Sequence, residues 1–312
     1  MKRAFALLAL FAVSSPISAQ RGGPEPFMVA ETGRGFFELK QAIDSIGEKS
    51  GTILIAPGSY KQCAAQYGGR ITYKARVAGS VIFDGMTCEG KAALILNGDW
   101  HRVEGIIFQN MSVADQNGAG IRLASGDLEV FNSTFRNSEQ GILTNPNPRG
   151  SIKIDYSTFS GLGICADDCA HSIYIGDYGS LSVTNSRFER GNGGHYVKAR
   201  AANVYIANNS FDDTRGRATN YMIDLPAGSV GQIVNNEFVQ GPNKENYGAL
   251  IAVGAEQLQH PSRGLVIANN RARVAPGFNH KTVFVANWTN DQLRMGGNVL
   301  GAGIAPYEKR SK

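Results

Sequence analysis

Three short segments of the chain carry a tyrosine, a lysine and an aspartate at equivalent positions. They read Ser-Ile-Tyr-Ile (172–175), Tyr-Val-Lys-Ala (196–199) and Met-Ile-Asp-Leu (222–225). Each alternates apolar with other residues, which is typical of a half-buried strand. If the second residue of each segment faces inward, a period of two sends Tyr174, Lys198 and Asp224 outward in one row.

Further polar residues flank this row. His171 and His195 lie at matching positions just before two of the segments, and Arg200 follows Lys198 by two residues. We therefore predict one site. The catalytic candidates are Lys198, His195, Arg200, Tyr174 and Tyr196. The substrate-binding candidates are His171, Asp224, Asp177 and Trp288.

These side chains suit the removal of a weakly acidic proton beside a carboxylate. A cation aimed at that carboxylate stabilises the enolate that develops, and the forked guanidinium of Arg200 suits this role. The base is either Lys198, if its surroundings favour the neutral amine, or His195, which titrates near neutrality unaided. Asp224 would work against the first choice by favouring the ammonium form. A tyrosine, 174 or 196, would protonate the leaving oxygen.

A repeat of the form apolar-x-apolar-x-Asn-x-x-Phe organises most of the chain. Clear copies end at Phe135, Phe188, Phe211 and Phe238, and the eight recognisable ends are 23 to 34 residues apart. Such a period indicates a solenoid. Two or three short strands per repeat, joined by Gly and Asn turns, predict an all-β fold. We expect a single-stranded right-handed parallel β-helix of roughly nine to ten coils.

The recurring Asn, three residues before the Phe, has two compatible interpretations. It either forms a buried ladder of amides that bond from coil to coil, or it tolerates a left-handed bend of the backbone. Both interpretations support the same fold.

Helical spacing occurs near the start of the chain. Residues 37–46 place several apolar side chains near one helical face. We predict a capping helix at about residues 36–48, because the uncovered end of a solenoid is an unpaired strand edge. No linker follows, so residues 20–312 are predicted to form one β-helix domain.

Composition and charge narrow the class of protein. Only 18% of the 312 residues are charged and 42% are hydrophobic, which excludes a disordered chain. The formal net charge of +5 is spread along the sequence, whereas nucleic-acid-binding proteins usually cluster basic residues on one face. Residues 1–19 have the basic start, apolar run and small terminal residues of a signal peptide, so a secreted or periplasmic protein without a membrane span is predicted.

Export would place the four cysteines in an oxidising compartment. Cys63 and Cys88 are 25 residues apart, about one coil, so they would lie side by side and form a disulfide. Cys165 and Cys169 would close a tight loop beside His171. A metal site is the competing interpretation, but two cysteines are a thin ligand set.

The capping helix, the segment Gly-Thr-Ile-Leu-Ile-Ala-Pro-Gly-Ser-Tyr (51–60) and the Asn-rich coils together resemble the secreted β-helix proteins of the pectate-lyase-like superfamily. Residues 194–211 are similar to a Val-Lys-Ser…Asn…Asn-x-Phe stretch of the chondroitinase B and alginate lyase family. That resemblance implies that Lys198 removes the C5 proton of a uronate. The family's arginine one coil later corresponds to residues 223–225 here, which contain none. Its acidic calcium ligands correspond to residues 193–195, which contain no carboxylate, so no metal ligands are assigned and Ca²⁺ is left open.

We therefore expect a lyase that cleaves a uronate-containing anionic polysaccharide by β-elimination, acting as a monomer. A glycoside hydrolase is one alternative, with acids from the Asp167–Asp168 and Asp212–Asp213 pairs. A non-catalytic glycan-binding or structural β-helix protein is another, with Phe284 and Trp288 as a small aromatic platform.

Overall fold

A computed structural model describes residues 24–165 and 169–311 of the chain. The predicted signal peptide and the Asp167–Asp168 pair lie outside the described residues. Within them the chain winds as a parallel β-helix of about nine turns, which confirms the predicted solenoid. Each coil contributes strands to three faces, which we call the groove face, the adjoining face and the Phe face.

The groove face carries the row of residues predicted to be chemically active. Its strands are Ala64–Gln66, the first parts of Ala92–Glu104 and Ala119–Phe131, Gln140–Thr144, Ile173–Ile175, Val197–Ala199, Ile223–Leu225, Ala249–Val253, Thr282–Asn287 and Ile304–Lys309.

The adjoining face begins where the two long strands cross the corner of the coil. Its strands are Ser50–Ile55, Arg70–Ala75, the second parts of Ala92–Glu104 and Ala119–Phe131, Asn147–Asp155, Tyr178–Thr184, Asn203–Ala207, Val230–Val234, Val266–Ala268 and Arg294–Gly296.

The Phe face is a separate sheet of 10 strands. These are Gly58–Tyr60, Val81–Asp84, Ile106–Gln109, Thr134–Arg136, Thr158–Ser160, Arg187–Glu189, Ser210–Asp212, Glu237–Gln240, Arg271–Val274 and Val299–Leu300.

The end of the solenoid is covered as predicted. The helix Leu39–Ile46 is shorter than the predicted 36–48, and it buries Leu39, Ala42, Ile43 and Ile46 against the first coil. The antiparallel strands Phe27–Val29 and Arg34–Phe36 complete this cover, with Phe27–Val29 also pairing to Ser50–Ile55. The short strands Ile164–Cys165 and Cys169–Ala170 pair antiparallel and form a separate two-stranded sheet.

The side chains of the recurring phenylalanine form a continuous stack through the core. From Phe83 to Phe238 the rings stack coil on coil, with centroids 4.8 to 5.6 Å apart. That spacing matches the distance between neighbouring strands, about 4.8 Å. Burial of each ring therefore also fixes the register between coils.

The expected Asn ladder lies one residue further along the chain. Asn132, Asn185 and Asn208 sit at the bend with φ of 47 to 60° and are exposed, so the bend interpretation is right for these positions. The residue that follows each bend points inward. There the side-chain amides form a ladder from coil to coil. Each Nδ2 donates to the Oδ1 one coil later at 2.9 to 3.0 Å, in the order Asn209, Asn236, Asn270 and Asn298.

Both predicted disulfides are present. Cys63–Cys88 joins Cα atoms 5.4 Å apart and Cys165–Cys169 joins Cα atoms 4.2 Å apart. No helix in the described part of the chain is long and apolar enough to cross a membrane.

Candidate functional site

The floor of the site is the predicted outward row. Ile173, Val197 and Ile223 pair in register and face the core, so Tyr174, Lys198 and Asp224 lie side by side on the outer surface of three successive strands. The row continues in both directions through mostly apolar residues, with Arg122 and Glu308 as the charged exceptions. Its remaining members from Ala65 on are Ala65, Ile95, Arg122, Leu143, Ala252, Ala286 and Glu308.

A ladder of aromatic rings forms one wall. His171 stacks on His195 with centroids 4.9 Å apart, and His195 stacks on Tyr221 at 5.4 Å. Tyr221 lies 6.4 Å from Trp288, whose ring also packs under the Arg310 guanidinium at 5.0 Å. Trp288 therefore belongs to the far end of this wall rather than to the floor beside Lys198.

Backbone hydrogen bonds set the tautomer of both histidines. The His195 N–H donates to His171 Nδ1 at 3.0 Å, and the Tyr221 N–H donates to His195 Nδ1 at 3.1 Å. A neutral ring that accepts at Nδ1 carries its proton on Nε2. Burial lowers the pKa of His171 to about 3 and that of His195 well below its usual value, which favours these neutral rings. His195 Nε2, the nitrogen that carries the proton, lies 3.4 Å from Asp224 Oδ2.

A loop of residues 254–264 forms the opposite wall. Glu256 accepts a hydrogen bond from Lys198 Nζ at 2.7 Å and also pairs with Arg200 Nη2. Further along the loop, His260 Nε2 lies 3.0 Å from Asp177 Oδ1. The loop is thus anchored over the sheet at two points, both at residues that the sequence analysis selected as site candidates.

Glycine is required where this loop leaves the groove face. Gly254 has a φ of +73°, and a Cβ built there would lie 2.4 Å from Thr289 Cγ2. The left-handed backbone turns the chain back towards earlier coils, where the Glu256 N–H donates to Pro226 O at 3.0 Å. A substituted residue at 254 would have to move either the loop or Thr289.

Two carboxylates of the site have opposite electrostatic surroundings. Burial raises the pKa of Asp224 to about 7, although Lys198 partly opposes it, and Asp224 Oδ1 has no hydrogen-bond partner among the described residues. Burial alone would also raise the pKa of Glu256, but hydrogen bonds from Lys198 and Arg200 outweigh it and hold that pKa below its usual value. Lys198 Nζ lies 3.8 Å from Asp224 Oδ2, so it bridges the two acids.

Tyr174 lies against both cations. Arg200 Nε donates to the Tyr174 hydroxyl at 3.1 Å, and Lys198 Nζ lies 5.7 Å from the ring centroid. A guanidinium held against a phenol stabilises the phenolate that remains after the phenol has given up its proton.

The groove runs from this cluster towards the N-terminal coils and has a volume of about 630 Å³. Besides the residues of the floor and the ring wall, its lining includes Arg122, Asn145, Gln140 and Asn117.

The expectation that Tyr196 lines the groove is wrong. Its ring is 1% exposed and packs against Phe188, and its hydroxyl donates to Asp213 Oδ1 at 2.7 Å inside the coil. Phe284 is buried as well, with its edge against Phe238, so it is no platform residue. Each of them is followed by another buried residue, Val197 or Val285, so two consecutive side chains are buried and strict alternation does not hold at these positions.

Three residues of the site, Glu256, Tyr221 and His260, were not among those predicted from the sequence. Tyr221 occupies the start of its strand, as His195 does one coil earlier, so stacking of the repeats was the signal that could have found it. Glu256 and His260 lie in the longest interval between repeat ends, the 34 residues from Phe238 to Ala272. The extra length of this interval predicts a loop on one face of the solenoid, but it does not predict the direction in which the loop folds.

Comparison with known proteins identifies solved structures with a similar architecture. No curated protein sequence matches the chain. Among solved structures, the pectin methylesterase from Aspergillus niger, crystallised in a penultimately deglycosylated form, is similar with a TM-score of 0.50 and 11% identity, over 86% of this chain and 89% of that one. The Streptococcus pneumoniae surface protein and adhesin PfbA is similar with a TM-score of 0.51 and 11% identity, over 87% of this chain and 96% of that one.

At such low identity these similarities establish the fold alone. The family is shown by the sequence itself, because residues 92–298 match the family model described as the right handed beta helix region. That span contains every residue of the groove face from Ala92 to Asn287. The chain therefore belongs to the right-handed β-helix family.

Proposed function

We propose that this protein is an exported lyase that cleaves a uronate-containing anionic polysaccharide by β-elimination. The observation that carries the proposal is a cluster at one end of an open groove: Lys198 and Tyr174 line the groove, Arg200 contacts Tyr174, and Asp224 lies beside Lys198. A long open groove suits a polymer, and two cations at its floor suit a sugar acid.

Glu256 supports the assignment of a carboxylate-binding position. Its side-chain carboxylate is held between Lys198 and Arg200, which therefore lie close enough to bind one carboxylate together. We assign the same position to the substrate carboxylate, with Glu256 displaced when the polymer binds. Neutralising that carboxylate makes the adjacent C5 proton more acidic, and the guanidinium fork of Arg200 stabilises the enolate.

The base in this proposal is Lys198 acting with Asp224. Lys198 Nζ reaches the groove, whereas Asp224 is 3% exposed and lies behind it. The ammonium first passes a proton to Asp224 Oδ2, a carboxylate whose pKa near 7 makes it a suitable acceptor at neutral pH. The neutral amine then takes the C5 proton and returns to the ammonium form. His195 is the rival base, but its Nδ1 is occupied and its Nε2 carries the proton, so we assign it to hold Asp224 by donating to Oδ2.

Tyr174 is assigned as the acid. Its hydroxyl donates a proton to the leaving glycosidic oxygen as the C4–O bond breaks and the C4=C5 double bond forms. The phenolate that remains is stabilised by Arg200 Nε at 3.1 Å. Each proton thus has a stated donor and acceptor. After product release, Asp224 loses the proton it gained and Tyr174 regains the one it gave up, both by exchange with solvent, which restores the starting state.

Hydrolysis is less well supported by the described residues. It needs two carboxyl groups that flank one glycosidic bond. Asp213 is buried inside the coil and paired with Lys244, and Asp212 lies on the Phe face, away from the groove. Asp167 and Asp168 lie outside the described residues.

The test is incubation of the purified protein with a panel of polymers, including polygalacturonate, alginate and chondroitin. Elimination generates an unsaturated uronate, which is followed by its ultraviolet absorbance. Reducing ends that appear without this absorbance would overturn elimination in favour of hydrolysis. Binding of a polymer without any cleavage would leave only the binding-protein alternative.

A further inference from the structure

The N-terminal part of the groove contains a cation that the proposed chemistry does not use. Arg122 lies in the outward row, three strands before Lys198 through Leu143 and Tyr174. Its guanidinium is half-buried and donates from Nη2 to Asn145 Oδ1 at 2.8 Å. Asp115 is near enough to favour its charged form but forms no ion pair with it within the described residues. A partly desolvated guanidinium whose charge is not directly paired is suited to an anionic ligand.

An independent feature of the same pocket also indicates a ligand. The Gln140 side chain is 1% exposed and lines this part of the groove. Its Nε2 donates to Asn117 Oδ1 at 2.8 Å, but its Oε1 is buried without a hydrogen-bond partner among the described residues. Buried acceptors are nearly always satisfied, so a group that carries a donor, such as a sugar hydroxyl, fits here.

The floor between the two cationic positions consists of Leu143 and Tyr174. Leu143 separates Arg122 from Tyr174 and is 7% exposed. At about 4.8 Å per strand, Arg122 and Lys198 are roughly 14 Å apart along the row. A surface with two cationic positions separated by one aliphatic and one aromatic side chain suits a chain of sugar rings whose acidic groups recur.

We propose that Arg122 and Gln140 form a second subsite for the same polymer, binding a sugar acid through its carboxylate and a hydroxyl. This inference rests on the proposed function and narrows the substrate to a polymer with an acidic group on more than one sugar along the groove. It also orients the polymer, which lies along the solenoid axis from Arg122 to Lys198.

The test is calorimetric binding of galacturonate disaccharide and hexasaccharide to variants made in a Tyr174→Phe background, so that no ligand is consumed. Arg122→Ala should weaken hexasaccharide binding by about tenfold or more, because hydrogen bonds to charged groups are among the stronger ones. Disaccharide binding at the Lys198 end should change little. Arg122→Lys retains the charge but not the forked guanidinium. Its affinity for the hexasaccharide should lie between those of the Arg122→Ala variant and the unsubstituted background.

Arg136→Ala is the matched control. Arg136 also donates to a side-chain amide oxygen, that of Gln109, but it lies on the Phe face. Thermal denaturation should show equal folding of both alanine variants. If Arg122→Ala binds the hexasaccharide as well as Arg136→Ala does, the subsite is overturned while the proposed function stands. If the unsubstituted background binds neither saccharide and the wild-type protein cleaves no uronate polymer, the proposed function and the subsite fail together.

Discussion

Two lysine–aspartate pairs lie within neighbouring coils of this solenoid, and they differ in every respect that matters for chemistry. Lys244 and Asp213 lie inside the coil with both side chains fully buried and their charged atoms 2.9 Å apart. Lys198 and Asp224 lie on the groove face, 3.8 Å apart, and the lysine side chain retains 14% exposure.

Hydrogen bonding explains the difference. Both oxygens of Asp213 are satisfied, since Tyr196 and Thr219 donate to Oδ1 and Lys244 donates to Oδ2. Asp224 has one oxygen, Oδ1, with no hydrogen-bond partner in the part of the chain that the structure describes. A fully satisfied buried network holds one arrangement, whereas a partly satisfied pair beside a groove can exchange protons and partners. Residue types alone therefore do not separate a structural pair from a reactive one.

The largest expected effect is on catalysis, when the Lys198–Asp224 pair of the groove face is disrupted. Lys198→Ala should lower the elimination rate by about 10²- to 10⁴-fold, the usual contribution of a general base. It should lower the thermal denaturation midpoint less than Lys244→Met does, because Asp224, whose pKa is about 7, can remain protonated when the lysine is absent. If Lys198→Ala turns over normally while His195→Ala is inactive, histidine is the base and the assignment made here is wrong.

The buried pair should respond in the opposite way. Lys244→Met removes the charge that compensates Asp213 and should lower the free energy of unfolding by about 3–5 kcal/mol, as is usual when one partner of a buried pair is removed. Chemical denaturation measures this loss. The double variant Lys244→Met with Asp213→Asn should recover part of it; recovery to no degree would contradict the pairing as its cause.

The raised pKa of Asp224 predicts a pH dependence of stability. Since its pKa is near 7 in the folded state and near 3.8 in the unfolded state, the folded protein binds more protons between these values. The contribution of Asp224 is therefore fully present below the unfolded value and is lost as the pH rises towards 7. Lys198, Arg200, Glu256 and His195 face this carboxyl group and must remain unchanged in the comparison.

Asp224→Asn isolates this contribution. The stability of the variant relative to the wild type should increase from pH 4 to pH 7 and then remain level, as measured by denaturation at each pH. A difference that is constant over the whole range would show that Asp224 titrates normally in the folded protein. The same variant should lose elimination activity, because the proton acceptor behind Lys198 is missing.

The smallest effect is expected for Glu256, whose carboxylate belongs to neither of the two lysine–aspartate pairs. Glu256→Gln should tighten binding of monomeric galacturonate several-fold, because Lys198 and Arg200 no longer hold an internal carboxylate. Glu245→Gln is the control for the change in net charge, as Glu245 is exposed and bonds to Asn220 instead. Weaker binding in Glu256→Gln would mean that Glu256 positions the cations rather than competing for them.

The repeat predicted the fold and much of the site. Recurrence of the phenylalanine motif about once per coil indicated stacking of coils, and stacking with a period of two placed Tyr174, Lys198 and Asp224 in one row, as observed. The one-coil spacing of Cys63 and Cys88 likewise predicted their bond. These inferences succeeded because neighbouring strands in a parallel sheet repeat the same environment.

Predictions failed where the chain departs from that regularity. Tyr196 is followed by another buried residue, so strict alternation does not hold there, and the inward Asn ladder is displaced by one residue because the bend itself takes the preceding Asn. Glu256 reaches Lys198 from a loop 58 residues further along the chain. The path of such a loop depends on its anchors at Pro226 and Asp177, which no periodic pattern encodes.

The uniform stacking of strands also makes the groove face a ruler. Every position in the outward row is separated from the next by one strand spacing, about 4.8 Å, so distances between functional groups change only in whole steps. A coil gained or lost between Leu143 and Tyr174 would move Arg122 relative to Lys198 by one step and leave both local environments intact. The distance between two functional groups along the groove is thus determined by the number of coils between them, independently of the chemistry at the groove floor.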